Sequence, residues 1–267
     1  MRKHGRLDLS KPKAVSQRKR PFRCGRKENG MDNFEEKNRG YWNERSRGYS
    51  SLRQKELSGP DSRAWERFLM ERLPKGRPLR VLDAGTGPAF LAIILAKAGC
   101  RVTALDFSAS MLKEGAANAE KAGVSISFMQ GDVMNLPFPE NSFDAIVTRN
   151  VTWNLPDVPR AYASWQRVLK KGGVLLNMDS NYGPMDFTAA AKLTKNAHHG
   201  VAENLIETCQ ELKDSIRIST HSRPAWDVER LRLLGFSSVT WEEDIRLLFT
   251  CPKNGTTTRC LFSASGR

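Results

Sequence analysis

The 267-residue chain is poor in the residues that build disulfide frameworks and metal centres. It has five cysteines, an odd number with no Cys-x-x-Cys pair, and only four histidines. His198 and His199 are adjacent but have no cysteine or acidic cluster beside them, so we expect no structural zinc site. This cysteine content favours a reduced, cytoplasmic protein over a secreted one.

Long apolar runs are also missing. The longest run, residues 89–96, has eight residues, whereas a helix needs about 20 to span a bilayer. The basic N-terminus is not followed by the apolar stretch of a secretory signal. With 39% hydrophobic and 27% charged residues the composition is that of a globular protein, and we expect no membrane association.

Positive charge is concentrated at the N-terminus. The formal net charge is +14, but the first thirty residues hold eleven Lys and Arg against two Asp and Glu, a net +9 that leaves +5 for the remaining 237. This segment has few apolar residues and no helical or strand period, which predicts disorder. Three interpretations stay open: a nucleic-acid-binding arm, an inert extension, and an upstream read-through with Met31 as the native start.

A glycine-rich turn is the most informative feature that is present. Residues 79–82 form an apolar strand pattern that leads into Asp-Ala-Gly-Thr-Gly-Pro at 83–88 and then into an apolar helix pattern. Gly85 and Gly87 allow a ligand to approach the backbone, and the N–H groups at the start of the helix favour a negative or polar group. A dinucleotide fingerprint requires a third glycine, but Phe90 stands at that position, which weakens an NAD interpretation.

Acidic residues follow the next two predicted strands. Asp106 ends the strand pattern that begins at Arg101, about twenty residues past the glycine turn, where nucleotide-binding sheets hold a ribose hydroxyl pair. A carboxylate can accept both hydroxyl hydrogen bonds, although Asp106 is also placed to cap the helix that follows. Asp132 stands after a second strand pattern, residues 125–130, and the string Leu-Pro-Phe-x-x-x-Ser-Phe-Asp-x-Ile-Val follows at 136–147.

The turn, the two acids and this string together resemble the class I S-adenosylmethionine-dependent methyltransferases, in particular the small-molecule, type 11-like branch. The resemblance covers about residues 41–179. It implies that Asp132 meets the adenine amino group and that Tyr41 and Tyr49, in a lid segment, lie near the sulfonium, where a cation over a ring face is stabilised. The cofactor contacts that it implies, with Arg149 and Asn150 at the methionine half, are Tyr41, Tyr49, Asp83, Ala84, Gly85, Thr86, Gly87, Asp106, Phe107, Met111, Gly131, Asp132, Val133, Arg149 and Asn150.

Residues that would contact the methyl acceptor are harder to predict. Trp153 and Asn154 follow the fourth strand pattern and are candidates for the substrate side, although Trp153 also suits a structural position. No general base stands out; the weak catalytic candidates are Asp179 and Tyr182 at the end of the fifth strand, and His221 in the segment beyond. We predict no metal.

The resemblance also predicts the fold: an α/β protein with a doubly wound, seven-stranded, mostly parallel Rossmann-like sheet and a helical cap insertion. The pattern of helices and strands divides the chain into a basic extension (1–30), an N-terminal lid and helix (31–78), a cofactor-binding core (79–180), a helical cap (181–224), and a C-terminal helix with two antiparallel strands (225–267). Within the cap we predict helices at 188–198 and 203–213.

The predicted function is transfer of a methyl group from S-adenosylmethionine to a small molecule by in-line displacement. A nucleic-acid methyltransferase is an alternative that only the basic arm favours, and residues 149–152 do not form an Asn-Pro-Pro-Tyr-type tetrad. An NAD-dependent oxidoreductase is a third interpretation. The sequence predicts neither the acceptor nor the oligomeric state.

Overall fold

The computed structural model describes residues 28–76, 78–193, 198–242 and 259–265. Seven strands in this part of the chain form one sheet with the order β3-β2-β1-β4-β5-β7-β6. They are β1 (Arg80–Ala84), β2 (Arg101–Asp106), β3 (Ser127–Gln130), β4 (Phe143–Arg149), β5 (Leu169–Ser180), β6 (Ser238–Glu242) and β7 (Arg259–Ser265). Strands β1 to β5 pair in parallel, and β7 is antiparallel to both β5 and β6. The predicted α/β, mostly parallel architecture is confirmed.

Eight α-helices accompany the sheet in the described residues. They are α1 (Glu28–Ser58), α2 (Asp61–Arg72), α3 (Phe90–Lys97), α4 (Ala109–Lys121), α5 (Val158–Val168), α6 (Phe187–Ala191), α7 (Glu203–Asp214) and α8 (Ala225–Leu233). Because side chains alternate across a strand, Val81 packs in the layer that holds α2 and α3, whereas Leu82 packs in the layer that holds α5 and α8.

A third apolar cluster lies above the carboxyl ends of the strands. Tyr41 from α1 packs there with Trp153, Phe187, Ile206 and Cys209. The cluster joins α1 to the cap helices α6 and α7. Since β1 lies between β2 and β4, the chain reverses its winding at β1, and open α/β sheets bind ligands outside the carboxyl ends at such a point.

Three predicted boundaries differ from the observed ones. The lid segment is one continuous helix of 31 residues, which begins at Glu28, so residues 28–30 of the predicted extension are helical; residues 1–27 lie outside the described residues. The cap helix predicted at 188–198 is the five-residue α6, and residues 194–197 are not described. The Lys-Lys-Gly-Gly sequence at 170–173, which is typical of a helix stop before a strand, already belongs to β5, where the register with β4 shifts.

Candidate functional site

The glycine turn between β1 and α3 is held by the carboxylate of Asp83. One carboxyl oxygen accepts hydrogen bonds from the Thr86 hydroxyl, at 2.7 Å, and from the Ala92 backbone N–H, at 3.0 Å. Gly85 has a φ of +74°, and a Cβ there would lie 2.4 Å from a methyl carbon of Val151. Gly85 is therefore required by close packing against the loop that follows β4, in addition to any ligand that approaches it.

Asp106 connects the end of β2 to the same turn. Its carboxylate accepts hydrogen bonds from the backbone N–H of Gly87, at 2.8 Å, and of Ser108, at 2.9 Å. The N-cap of α4 is Ser108, whose hydroxyl accepts from the Met111 backbone N–H at 3.1 Å; Asp106 contacts the N–H of Ser108 but does not itself cap the helix. Burial raises the pKa of Asp106 to about 6, and burial raises the pKa of Asp83 to about 7. Both carboxyls therefore titrate well above the range of an exposed aspartate.

Asp132 occupies the corresponding position after β3. Its side chain accepts a hydrogen bond from the Met134 backbone N–H at 2.7 Å. Gly131 lies beside Leu105, and a Cβ there would approach that leucine to 3.1 Å. The three strand ends thus place three carboxylates, Asp83, Asp106 and Asp132, along one edge of the sheet.

Helix α1 forms the roof over this edge. Asn118 of α4 donates to the hydroxyl of Ser50 and to the carbonyl of Pro88, at 3.1 and 3.0 Å, and so fixes the middle of α1 to the glycine turn. At the other end, the Asn154 side chain donates to the Asn38 side-chain oxygen at 2.8 Å. These contacts keep α1 across the carboxyl edge of the sheet.

Aromatic and cationic side chains of α1 face the sheet beneath this roof. The ring centroids of Trp42 and Tyr49 are 5.6 Å apart in an edge-to-face arrangement, and the Arg53 guanidinium lies 5.0 Å from the centroid of the Tyr49 ring. Arg53 contacts Glu56 at 2.5 Å, and Arg149 at the end of β4 contacts the same carboxylate at 2.9 Å. Glu56 of α1 thus forms ion pairs with two guanidiniums of the cavity lining.

A cavity of about 1080 Å³, counting the open space at its mouth, lies between α1 and the strand ends. Thirteen of the predicted residues line it: Tyr49, Asp83, Gly85, Thr86, Gly87, Asp106, Phe107, Met111, Asp132, Val133, Arg149, Asn150 and Asn154. The cavity therefore brings together residues from five segments that are far apart in the sequence.

Four predicted contacts lie outside the cavity lining, for different reasons. Tyr41 points away from the strand ends into the cluster under the cap and is 3% exposed; burial raises the pKa of its hydroxyl, which also hydrogen-bonds Cys209. Trp153 packs on Tyr182 and Phe187 in the same cluster. The side chain of Ala84 belongs to the core between the sheet and α5, and Gly131 supports Leu105.

The three weak catalytic candidates also lie outside the lining. Asp179 is buried and accepts hydrogen bonds from Thr152, Trp153 and Ser180, which occupy both of its oxygens. His221, near the end of the cap, stacks on Trp226 with the ring centroids 4.8 Å apart.

Tyr182, the third catalytic candidate, lies next to the cavity lining, because its hydroxyl donates to the side-chain oxygen of Asn150 at 3.2 Å. Asn150 has a φ of +58°, a conformation that non-glycine residues rarely adopt and that often marks a functional position. Tyr182 therefore contacts a residue of the cavity lining, Asn150, without lining the cavity itself.

Several lining residues were not predicted as site residues from the sequence. They are Phe34, Glu35, Asn38, Arg39, Trp42, Arg53, Pro88, Phe90, Leu91, Met134, Val151, Leu155 and Pro156. Those on α1 recur at spacings of three, four, seven and eleven residues, which is the period of one helix face. This helical period could have identified the lining residues of α1 from the sequence, but only if residues 28–58 had been predicted as one continuous helix.

Two classes of feature are not found in the part of the chain that the structure describes. No group of three or more His, Cys, Asp or Glu residues there is arranged to hold a metal ion. Among the same residues, no helix combines the length and apolar character needed to cross a membrane.

Comparison with known proteins gives one family and several relatives. Residues 82–177 match the family model described as a methyltransferase domain. The chain is 34% identical over 172 residues to a ubiquinone/menaquinone biosynthesis C-methyltransferase of Psychromonas ingrahamii, which covers 58% of this chain and 66% of that protein. It is 33% identical over 123 residues to a demethylmenaquinone methyltransferase of Thermus thermophilus, with 45% and 56% covered.

A sterol 24-C-methyltransferase of Gibberella zeae is 36% identical over 112 residues, 41% of this chain and 30% of that protein. The chain thus spans between about a third and two thirds of the length of these curated relatives.

Solved structures share the fold at low sequence identity. A geranyl diphosphate methyltransferase in complex with geranyl diphosphate and sinefungin has a TM-score of 0.61 at 15% identity, covering 87% of this chain and 99% of that one. The phosphoethanolamine N-methyltransferase 2 of Haemonchus contortus with S-adenosyl-L-methionine has a TM-score of 0.57 at 17% identity, covering 80% and 56%.

Proposed function

This chain carries a class I S-adenosylmethionine-dependent methyltransferase domain, and we propose that it transfers the methyl group of that cofactor to a small, largely apolar acceptor. The observation that carries the proposal is the cavity itself, in which the glycine turn, Asp106 and Asp132 converge at the carboxyl edge of a parallel sheet. Neither a nucleic-acid substrate nor an NAD cofactor gains support from the relatives above.

The residues present fit the cofactor at its ribose. Each oxygen of the Asp106 carboxylate already accepts one backbone hydrogen bond, and a carboxylate has about four acceptor positions. Two positions therefore remain for a pair of ribose hydroxyls. Those hydroxyls favour the ionised form, which burial disfavours in the ligand-free protein.

The adenine and methionine halves have matching surroundings on either side of Asp106. Asp132 is placed to accept from the adenine amino group, with Phe107 and Val133 as apolar surfaces beside it. On the other side, the Gly85–Gly87 backbone, the start of α3 and the Arg149 guanidinium suit an amino-acid carboxylate. Tyr49 and Trp42 place aromatic rings on this side of the cavity.

The protein's part in the reaction is alignment and exclusion of water. The bound cofactor supplies a methyl carbon that is already electrophilic, so the protein needs no metal to activate it. Holding a nucleophile in line with the breaking bond lowers the activation barrier, by about 7–11 kcal/mol in the best-oriented systems. Helix α1 covers part of the cavity and so limits the access of water to it. An acceptor that is already nucleophilic requires no general base.

The lining residues beyond the cofactor contacts suggest the class of acceptor. Phe34, Met134, Val151, Leu155 and Pro156 form an apolar wall. Arg39, at the exposed face of α1, adds a positive charge to the lining. We propose an acceptor with an apolar body, and the quinone, sterol and prenyl names of the relatives are consistent with it.

Calorimetric titration tests the cofactor, and a label tests the transfer. S-adenosylhomocysteine is expected to bind with one site per chain, while NAD under the same conditions gives no heat of binding. Cell extract incubated with methyl-labelled S-adenosylmethionine is then expected to yield label in the organic-solvent fraction. Binding of NAD alone, or label only in nucleic acid, would overturn the proposal.

A further inference from the structure

A buried ionic cluster lies beside the turn that forms one wall of the cavity. Arg223, Asp179 and Asp227 are 6%, 1% and 0% exposed. The Arg223 guanidinium donates to both carboxyl oxygens of Asp227, each at 2.7 Å, and lies 3.4 Å from the Asp179 carboxylate. All three residues lie outside the cavity lining, and the proposed reaction makes no direct use of them.

The cluster holds the turn through three hydrogen bonds. Arg223 donates to the hydroxyl of Thr152 at 2.7 Å. Asp179 accepts from that hydroxyl and, at 2.9 Å, from the backbone N–H of Trp153. Thr152 begins the 3₁₀ turn Thr152–Asn154. Asn154, the last residue of this turn, lines the cavity and donates a hydrogen bond to Asn38 of α1.

Val151, which precedes Thr152, connects this wall of the cavity to the glycine turn. Val151 lines the cavity and packs so closely on Gly85 that a Cβ there would lie at 2.4 Å. A shift of Thr152 therefore displaces Val151 against Gly85, in the turn that we assign to the cofactor.

The cluster also joins the two ends of the cap. Asp179 precedes the cap at the end of β5. Arg223 lies at the far end of the cap, after the 3₁₀ turn Arg217–Thr220 and one helical turn before Asp227 of α8. Apolar side chains of similar volume satisfy a need for packing alone at least as well as buried ions do. Directed hydrogen bonds instead fix one geometry, and here they fix the cap ends relative to the cavity wall.

We propose that Arg223 is a positioning residue of the methyl-transfer site, which acts through Thr152 and Asp179 on the wall at 150–155. The proposal rests on the proposed function for the identity of the ligand. According to this proposal, Arg223 at the end of the cap increases the affinity for the cofactor although it does not line the cavity.

Two variants and one control test it. Arg223→Met removes the guanidinium, and Thr152→Val removes only the hydroxyl that links the cluster to the turn. The control is Asp144→Asn, because Asp144 is another buried carboxylate, paired with Lys170 at 2.8 Å, at the opposite end of β4. Affinity for S-adenosylhomocysteine is measured by calorimetry at a temperature where each variant is folded, and amide hydrogen exchange over residues 150–155 is measured without ligand.

We expect Arg223→Met and Thr152→Val to weaken S-adenosylhomocysteine binding about tenfold and to accelerate exchange over residues 150–155 at least tenfold. Asp144→Asn is expected to lower the melting temperature and to change neither quantity. If both variants lose stability as the control does but keep wild-type affinity and exchange, the cluster is merely structural and the proposal is wrong.

The two proposals fail in different ways. A wild-type protein that binds no S-adenosylhomocysteine refutes the proposed function, and the exchange measurement still decides whether Arg223 positions the wall. If Arg223→Met does not fold, Thr152→Val decides alone, since it leaves the contacts between Arg223 and Asp227 intact.

Discussion

Replacing Asp106 by Asn is the most direct test of the ribose assignment. The substitution keeps the shape of the side chain but replaces one acceptor oxygen with an NH₂ group and removes the charge. In the wild-type protein the Asp106 carboxylate accepts from the backbone N–H groups of Gly87 and Ser108 and has positions left for two ligand hydroxyls. Loss of a hydrogen bond to a charged group costs about 1.5–3 kcal/mol, which corresponds to a Kd for S-adenosylhomocysteine that is roughly 10- to 150-fold higher.

The assay is calorimetric titration at pH 7.5, with Asp144→Asn as the matched control. Asp144 is equally buried and accepts the Arg80 backbone N–H at 2.9 Å, but it lies at the amino end of β4. The control is expected to bind as the wild type does. Wild-type affinity in Asp106→Asn would remove this residue from the ribose site.

The pKa of Asp106 gives a second, independent test of the same assignment. Burial raises this pKa to about 6, above its value near 4 in the unfolded chain, so the folded protein binds the proton more tightly. The free energy of unfolding of the ligand-free protein therefore falls as pH rises from about 4 to 6, and Asp83, with a pKa of about 7, extends this fall toward neutral pH.

Ligand hydroxyls act in the opposite direction, because they stabilise the ionised carboxylate and lower its pKa. Affinity for S-adenosylhomocysteine is expected to rise with pH, by up to about tenfold per pH unit below pH 6, and to level off above pH 7. Asp106→Asn is expected to flatten this profile. A wild-type Kd that is constant from pH 5 to 7 would contradict the assignment.

Two further pairs of variants separate site contacts from structural ones. Gly85→Ala places a Cβ against Val151 and is expected to weaken S-adenosylhomocysteine binding at least tenfold. Gly99 has a similar positive φ with open space around it, so Gly99→Ala should lower the free energy of unfolding by the backbone strain alone, about 1–2 kcal/mol, at unchanged affinity. Equal affinities of the two variants in a titration would refute the steric argument. Tyr49→Leu is expected to weaken binding at least fivefold, while Tyr41→Phe should lower the melting temperature by a few degrees at unchanged affinity, and a binding defect in Tyr41→Phe would return that residue to the cofactor site.

Much of the cofactor side of the site was predictable because its residues are tied to strand ends. Asp106 and Asp132 each follow a strand pattern, and the carboxyl ends of parallel strands necessarily meet at one edge. Gly85 was selected because a ligand could approach its backbone, and the structure adds a second reason, close packing against Val151. A sequence cannot show that Val151, 66 positions away, occupies the space a Cβ would need.

The acceptor side was less predictable because it depends on how α1 and the cap dock. Tyr41 and Tyr49 lie eight residues apart on one helix, yet only Tyr49 faces the cavity, since the rotation of α1 is set by contacts with Asn118 and Asn154. Asp179 was a catalytic candidate at a strand end, but in the structure it belongs to an ionic cluster with Arg223 from the far end of the cap.

The succession of strands and helices, the glycine turn after β1 and the carboxylates at the strand ends could be predicted from the sequence, because periodicity and backbone preference act between neighbours in the chain. Three features could be seen only in the folded protein: which face of α1 lines the cavity, which aspartates are open to a ligand and which aspartates pair with Arg223. Those outcomes depend on packing and charge pairing between segments far apart in the chain, for which local sequence carries no period.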